Sequence, residues 1–202
     1  MQEQQLLTLR ETAAVAGVKA TFIKREVQRR VVRPRRAKKH VLFPETAALY
    51  FAVVSDFLGR LELPPPLRSE LYALLTNAPS PRAPTWERAG DAVWLHGRNT
   101  AMKLDTSALK HQVAERLALL ARRVTRIHSD PAIKNGVPVF KGTRIPVENV
   151  RGQLARGASI DELVEHYPGL PREDIQLAQL LNELGRPPGR PKRIKPVRIV
   201  RA

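Results

Sequence analysis

Two short stretches of this 202-residue chain hold its entire charge imbalance. The formal net charge is +16, from 35 Lys and Arg against 19 Asp and Glu. Residues 19–40 carry ten basic side chains and one acid, Glu26, for +9; residues 185–202 carry seven basic side chains and no acid, for +7. What remains is neutral. A chain divided in this way cannot bury its cationic stretches, so a balanced body must form the core while the two stretches stay at the surface, facing solvent or a polyanion. Hydrophobic residues make up 43% of the chain and aromatics only 5%, so Leu, Val, Ile and Ala are expected to dominate that core. No window of about 18 consecutive apolar residues occurs, which excludes a transmembrane helix. The opening Met1-Gln2-Glu3-Gln4-Gln5 has neither a basic leader nor an apolar run, so no secretion signal is expected. The absence of cysteine rules out a disulfide framework and Cys-based zinc sites and fits a reducing cytosol; a cytoplasmic location is the expectation.

Along the chain, Thr8 and Glu11 form a capping box for a helix through Ala16, and Gly17-Val18 breaks it. A second, far more basic helix is predicted from Ala20 to Arg30. Helix, glycine-containing turn and helix make a helix-turn-helix outline. On the second helix Phe22, Ile23 and Val27 are placed inward, and Lys24, Glu26 and Arg30 outward. The run Val31 to Lys39 reads as a wing or loop, too charged to pack. Pro44 and Glu45 are expected to start an apolar helix through Leu58. The Pro64-Pro65-Pro66 connector leads into a short helix, Leu67 to Leu75, and residues 77–84 are the clearest linker.

Ala92–Leu95 and Ala101–Leu104 flank His96-Gly97-Arg98-Asn99 and suggest a hairpin. Asp105 or Thr106 then caps a long helix with the apolar stripe Leu109, Val113, Leu117, Leu120 and Val124; Lys110, Gln112, Glu115, Arg116 and Arg122 lie opposite. That stripe is read as core, though its length also suits a dimer seam. From Ile127, turn dipeptides (Asp130-Pro131, Asn135-Gly136, Lys141-Gly142) crowd around short extended pieces at Val137–Phe140 and Thr143–Val147. Three helices follow: Glu148 to Ala155; Ser159 to Tyr167, with Ser159 and Glu162 as a capping box; and Pro171 to Leu184. Gly157, Gly169 and Gly185 are placed as left-handed stops. A unit of about 40 residues is too small for a large core, so it is expected to lean on the long helix before it.

The segment from Ile127 to Leu184 carries a recognisable pattern. Ser129-Asp130-Pro131-Ala132-Ile133 and Gly136-Val137-Pro138-Val139-Phe140-Lys141-Gly142-Thr143-Arg144-Ile145-Pro146-Val147 are followed by Gly157-Ala158-Ser159-Ile160-Asp161-Glu162-Leu163, Tyr167-Pro168 and Glu173-Asp174-Ile175. In order and spacing this resembles the domain-of-unknown-function family 433, whose members are similar to homeodomain-like helical domains and occur as VapB-type antitoxins. The element order also looks like longer members that begin with a MerR-like helix-turn-helix. The resemblance implies a type II antitoxin that binds its own operator DNA and neutralises a PIN-domain ribonuclease toxin, as a homodimer or as a larger hetero-oligomer with the toxin. PIN active sites are carboxylate clusters holding Mg²⁺ or Mn²⁺, and Arg pairs bidentately with carboxylates, so a basic tail suits such a site.

The expected architecture is therefore mainly α. It comprises a DNA-binding region over residues 1–76, a linker over 77–84, a hairpin and long helix over 85–126 with a possible dimerisation role, a three-helix homeodomain-like domain over 127–185, and a disordered basic tail over 186–202. Candidate DNA contacts are Lys19, Thr21, Lys24, Arg25, Arg29, Arg30, Arg33, Arg35 and Arg36, some on phosphates and some at base edges, against the plainer reading of a solvated basic helix. Candidate toxin contacts are Arg186, Arg190, Lys192, Arg193, Lys195, Arg198 and Arg201. The tail's Gly-Arg-Pro triplets also resemble an AT-hook, with Pro188 before Gly189 where a hook carries Arg. Lys141-Gly142-Thr143-Arg144 reads as a structural turn rather than an anion site. Arg172 and Gln176 could face DNA from the last helix, but Glu173 and Asp174 oppose phosphate approach. The five histidines do not pair at metal-ligand spacing, the carboxylate clusters fit helix first turns, and no phosphate loop or nucleophile elbow occurs. No enzymatic activity, metal or cofactor is expected. A stand-alone DNA-binding adaptor of excisionase or partition type is the alternative function; an RNA-binding protein fits less well, given few aromatics for stacking.

Overall fold

The computed structural model describes residues 6–37, 40–58, 62–79, 85–129 and 136–185. Strand β1 (Leu6–Thr8) runs directly into α1 (Leu9–Ala16). The capping box closes as the residue types dictate: the Glu11 amide donates to Thr8 Oγ1 at 3.4 Å and the Thr8 amide to Glu11 Oε2 at 2.9 Å. Such a cap is worth about 1 kcal/mol. Gly17 then takes φ 68, a left-handed conformation that glycine adopts without a Cβ penalty, and the chain turns into α2 (Ala20–Gln28).

Within the run expected as a wing or loop, Val31 to Lys39, residues Arg35–Ala37 form strand β2, paired antiparallel with β3 (His40–Pro44). Strand β1 takes the other edge of β3, giving the order β1-β3-β2 with Leu7 opposite Phe43 and Arg35 opposite Leu42. Pro44 therefore does not start a helix. It ends β3 opposite Leu6, and α3 (Ala47–Leu58) begins three residues later. From Ala47 to Val54 every side chain of α3 is buried, so this is a central core helix rather than an amphipathic surface one. Helix α4 (Pro65–Thr76) takes Pro65 and Pro66 into its first turn and ends at Asn77, in left-handed conformation at φ 52.

The expected hairpin is a three-stranded antiparallel meander of β4 (Trp86–Ala89), β5 (Ala92–His96) and β6 (Ala101–Asp105). Trp86 is buried and its indole N–H donates to the Leu67 carbonyl at 2.8 Å, docking the meander on α4. Helix α5 (Ser107–Arg126) follows. Its start uses both expected capping residues differently: Asp105 Oδ1 accepts from the Ser107 amide at 2.9 Å, while the Thr106 hydroxyl donates to the Asp91 carbonyl. The stripe Leu109, Val113, Leu117 and Leu120 faces inward toward α1 and α3, but Val124 is 86% exposed and lies outside it.

In the C-terminal unit β7 (Ile127–His128) pairs with β8 (Val139–Phe140), and α6 (Val147–Ala155), α7 (Ile160–His166) and α8 (Arg172–Leu184) surround a core of Phe140, Val147, Val150, Leu163, Leu170, Ile175 and Ala178. The Ser159–Glu162 box closes as expected, and the Ser159 amide and hydroxyl hold the Glu162 carboxyl below its usual range. Gly142 (φ 81) makes the turn after β8, and Thr143 is consumed by it, donating to the Phe140 carbonyl and accepting from the Ile145 amide. Of the three expected left-handed stops, Gly157 has φ 99; Gly185 has positive φ but extended ψ (φ 71, ψ 171), and Gly169 has no positive φ, the turn there closing by the Leu170 amide on the Tyr167 carbonyl. As expected, the unit leans on the long helix: α8 packs on α5 and also on α1, α6 and α7.

The expectation of a mainly α chain is thus corrected. Eight helices, about 55% of the described residues, share the fold with eight strands in three small sheets, about 18%, which makes it mixed α/β. The strands are two to five residues long, too short for alternation to show in the sequence. Residues 186–202 and 80–84, which hold the expected tail and most of the expected linker, lie outside the described residues.

Candidate nucleic-acid interface

Helix α2 has two unlike faces. Ile23 and Glu26 are fully buried, with Phe22 and Val27 partly so; Thr21, Lys24, Arg25, Gln28 and Arg29 are on the outer side and share one arc at helical spacing. Lys19, at the N-cap, is exposed beside them. The remaining candidates Arg30, Arg33, Arg35 and Arg36 are also exposed, on the segment that closes α2 and enters β2. Among the described residues none of these eight cations forms an ion pair; elsewhere Arg68, Lys110, Arg116, Arg122, Arg123, Arg126, Arg151 and Arg172 do, while the scattered Arg88, Arg98, Lys103, Lys141, Arg144 and Arg156 do not. The positive field of α2 and the hairpin is therefore uncompensated at short range.

Arg30 separates from the arc it was expected to join. It lies past the last turn of α2 at φ 58, where an L side chain is strained, and lines a cleft with Arg33 and Arg35 instead. Lys19, Arg25 and Arg29 rim a different groove, with Phe22 and Ser55 inside it.

Glu26 corrects the outward placement made from sequence. Its carboxylate is 1% exposed, accepts from Arg68 Nη1 of α4 at 2.5 Å and from the Tyr50 hydroxyl of α3 at 2.8 Å. Burial and then the Glu26 charge hold the Tyr50 phenol well above its ordinary range, so it stays a donor. Around this triad Phe22, Phe43, Tyr50, Phe51 and Tyr72 meet edge to face at centroid separations of 5.1–6.2 Å. Half of the chain's ten aromatics thus gather where the inner face of the basic helix meets its support, Phe22 on the helix and four rings beneath it. The arrangement fixes α2 rigidly while leaving its outer arc free.

At the other end, Asp174 was expected to compensate the dipole of α8. It is completely buried and accepts a bidentate pair from Arg126, Nε at 3.0 Å and Nη2 at 2.5 Å, with Arg122 Nη2 3.5 Å away. This bond raises the Arg126 pKa further above its already high value. The expected solvent face of α5 is therefore partly an inter-helix seam: Arg116 likewise donates to the Ala14 carbonyl and to Glu183, both at 2.6 Å. Arg172 is paired with Asp161, and the faces of α8 are taken up by four neighbouring helices, which disfavours the groove-reading role considered for Arg172 and Gln176. The seven tail candidates, Arg186 to Arg201, lie outside the described residues. Among the described residues no group of three or more His, Asp or Glu comes together as a metal site, and no helix is long and apolar enough to cross a membrane.

This is a chain whose mixed α/β scaffold carries a cationic face without ion pairs among the described residues and, packed on α1 and α5, a compact three-helix unit. The second feature has known counterparts. Residues 127–180, the span of that unit, match the family model described as "Protein of unknown function (DUF433)". Over 82 residues the chain is 35% identical to "Uncharacterized protein y4eO" of Sinorhizobium fredii (strain NBRC 101917 / NGR234), a stretch covering 41% of this chain and 37% of that protein. The chain thus spans little more than a third of the length of the curated relative it matches. No solved structure matches it.

Proposed function

We propose that the chain is a DNA-binding regulator of the antitoxin type, with α2 entering the major groove and the β2–β3 hairpin lying along the adjoining backbone. The observation that carries the reading is the set of eight exposed cations without ion-pair partners among the described residues, four on α2 and its caps, whose inner face is locked, and four on the segment that leads into and along β2. Helix, tight turn, helix and hairpin is an order in which helix-turn-helix proteins of MerR-like type present a second helix to base edges. Thr21, Lys24, Arg25 and Arg29 are the base-edge and phosphate contacts; Lys19, Arg33, Arg35 and Arg36 set affinity through phosphates. The antitoxin part rests on the resemblance to family 433 and on charge: the segment 186–202 carries seven cations and no acid, suited to the carboxylates of a PIN-domain ribonuclease.

Two measurements test it. With the full chain and duplex from its own upstream region, log affinity is expected to fall linearly with log salt at about 0.9 per neutralised phosphate, so about six phosphates give a slope near −5. A flat salt response, or no duplex binding at low ionic strength, overturns the DNA reading. Deleting residues 186–202 is expected to abolish inhibition of a ribonuclease encoded beside the gene while leaving duplex binding within a few fold. Full inhibition by the truncated chain removes the tail's assigned role.

A further inference from the structure

Between the hairpin and α4 lies a cleft of about 670 Å³, within the range of pockets that take a small organic ligand. One wall carries Arg30, Arg33 and Arg35; the other is α4, with Tyr72 and Ser69 facing the same space. The chemistry of these groups is one-sided. Among the described residues the three guanidiniums have no ion pair, and the Tyr72 and Ser69 hydroxyls on the lining form no hydrogen bond. Glu70 is the one acid on the lining, and it accepts from the Thr85 amide at 3.4 Å. Val31, Pro44 and Ala73 supply an apolar floor. Donors without acceptors above an apolar floor define a ligand with an anionic head and an apolar body.

We propose that this cleft binds a small organic anion, a carboxylate, sulfonate or phosphate on a hydrocarbon or aromatic frame, in competition with the DNA backbone for Arg33 and Arg35. The pocket stands on its own geometry; the competition rests on the DNA reading above. Guanidiniums paired bidentately with a bound head group are not available to phosphates, so occupancy releases the hairpin from the duplex. Arg30 adds to the case: a glycine or asparagine would hold its left-handed conformation at lower cost, yet the position places a third cation at the cleft.

The test uses the full chain and 8-anilinonaphthalene-1-sulfonate, a fluorescent anion on an apolar frame, beside its uncharged relative N-phenyl-1-naphthylamine. The sulfonate is expected to bind saturably and about tenfold or more tightly than the neutral dye. The double variant Arg33→Glu/Arg35→Glu and the cleft-filling Ser69→Leu are each expected to weaken it by about tenfold or more, since one removes the charge and the other the space. Lys141→Ala, an exposed change in the C-terminal unit, leaves it unchanged. Circular dichroism checks that each variant folds, and Arg33→Glu/Arg35→Glu, at two side chains outside the core, keeps the test decisive if Ser69→Leu does not. Saturating sulfonate is then expected to displace duplex from the unaltered chain. Equal binding of both dyes, or binding indifferent to Arg33 and Arg35, overturns the proposal, and duplex retained at dye saturation overturns the competition. A chain that holds the sulfonate through these arginines but binds no duplex overturns the DNA reading and leaves the pocket standing.

Discussion

Replacing Lys24, Arg25 and Arg29 together by alanine is expected to weaken duplex affinity by about 10²–10³-fold at moderate salt, with the salt slope falling by roughly 0.9 for each phosphate left without its cation. These three side chains share the outer arc of α2, and among the described residues none has an ion pair to lose, so the folded state should be untouched. Band-shift titrations at several salt concentrations, alongside thermal melts, read the two quantities separately. Unchanged affinity and slope would show that the cationic face of α2 meets no DNA. The choice of residues comes from the structure: Arg30, adjacent in sequence, belongs to the cleft and is not expected to act with them.

The largest stability effect is expected at the buried triad. Arg68→Ala leaves the Glu26 carboxylate in the core with only the Tyr50 hydroxyl, a loss of about 3–5 kcal/mol. Typical domains have only about 5–15 kcal/mol in all, so the urea midpoint should fall drastically. Removing both charges together, as Glu26→Leu with Arg68→Met, is expected to recover most of that loss, because no uncompensated ion remains. Tyr50→Phe should cost about 1.5–3 kcal/mol, the value of a hydrogen bond to a charged acceptor. If Arg68→Ala melts within about 1 kcal/mol of the unaltered chain, the triad does not hold α2 in place.

Local rules acting over three or four residues were legible in several places and misleading in others. Both capping boxes, the helix break at Gly17, the Gly142 turn with Thr143 folded into it, and the long helix with its stripe through Leu120 follow from side-chain type and spacing, whereas Pro44 ends a strand and Gly169 is not left-handed. What could not be read depends on partners far along the chain. Glu26 lies three residues after Ile23 on the same face, and it is the lone acid in a +9 block, which is a signal of inward pairing. Its partner Arg68 is 42 residues away on another helix. Asp174 and Arg126 are separated by 48 residues, so the acid looked like an ordinary first-turn residue. Strands β2 and β4 were missed because Arg35-Arg36-Ala37 and Trp86-Glu87-Arg88-Ala89 have no apolar alternation; the first is held by pairing to β3, the second by β5 and the single anchor Trp86. The aromatic cluster escaped because a share of 5% says nothing of where five rings converge.

Arg116 joins two places that lie far apart in sequence. One guanidinium clasps the end of α1, at the Ala14 carbonyl, and Glu183 in the last turn of α8; a Cβ on Gly17 would sit only 3.7 Å from it. The elbow that leads into α2 and the outlet of the final helix are therefore stapled side by side. If, as proposed, partners dock on α2 and just past Gly185, the two guests enter at adjoining doors and must either share a wall or crowd each other out. Their affinities would then be linked through occupied volume alone, with the scaffold itself standing still.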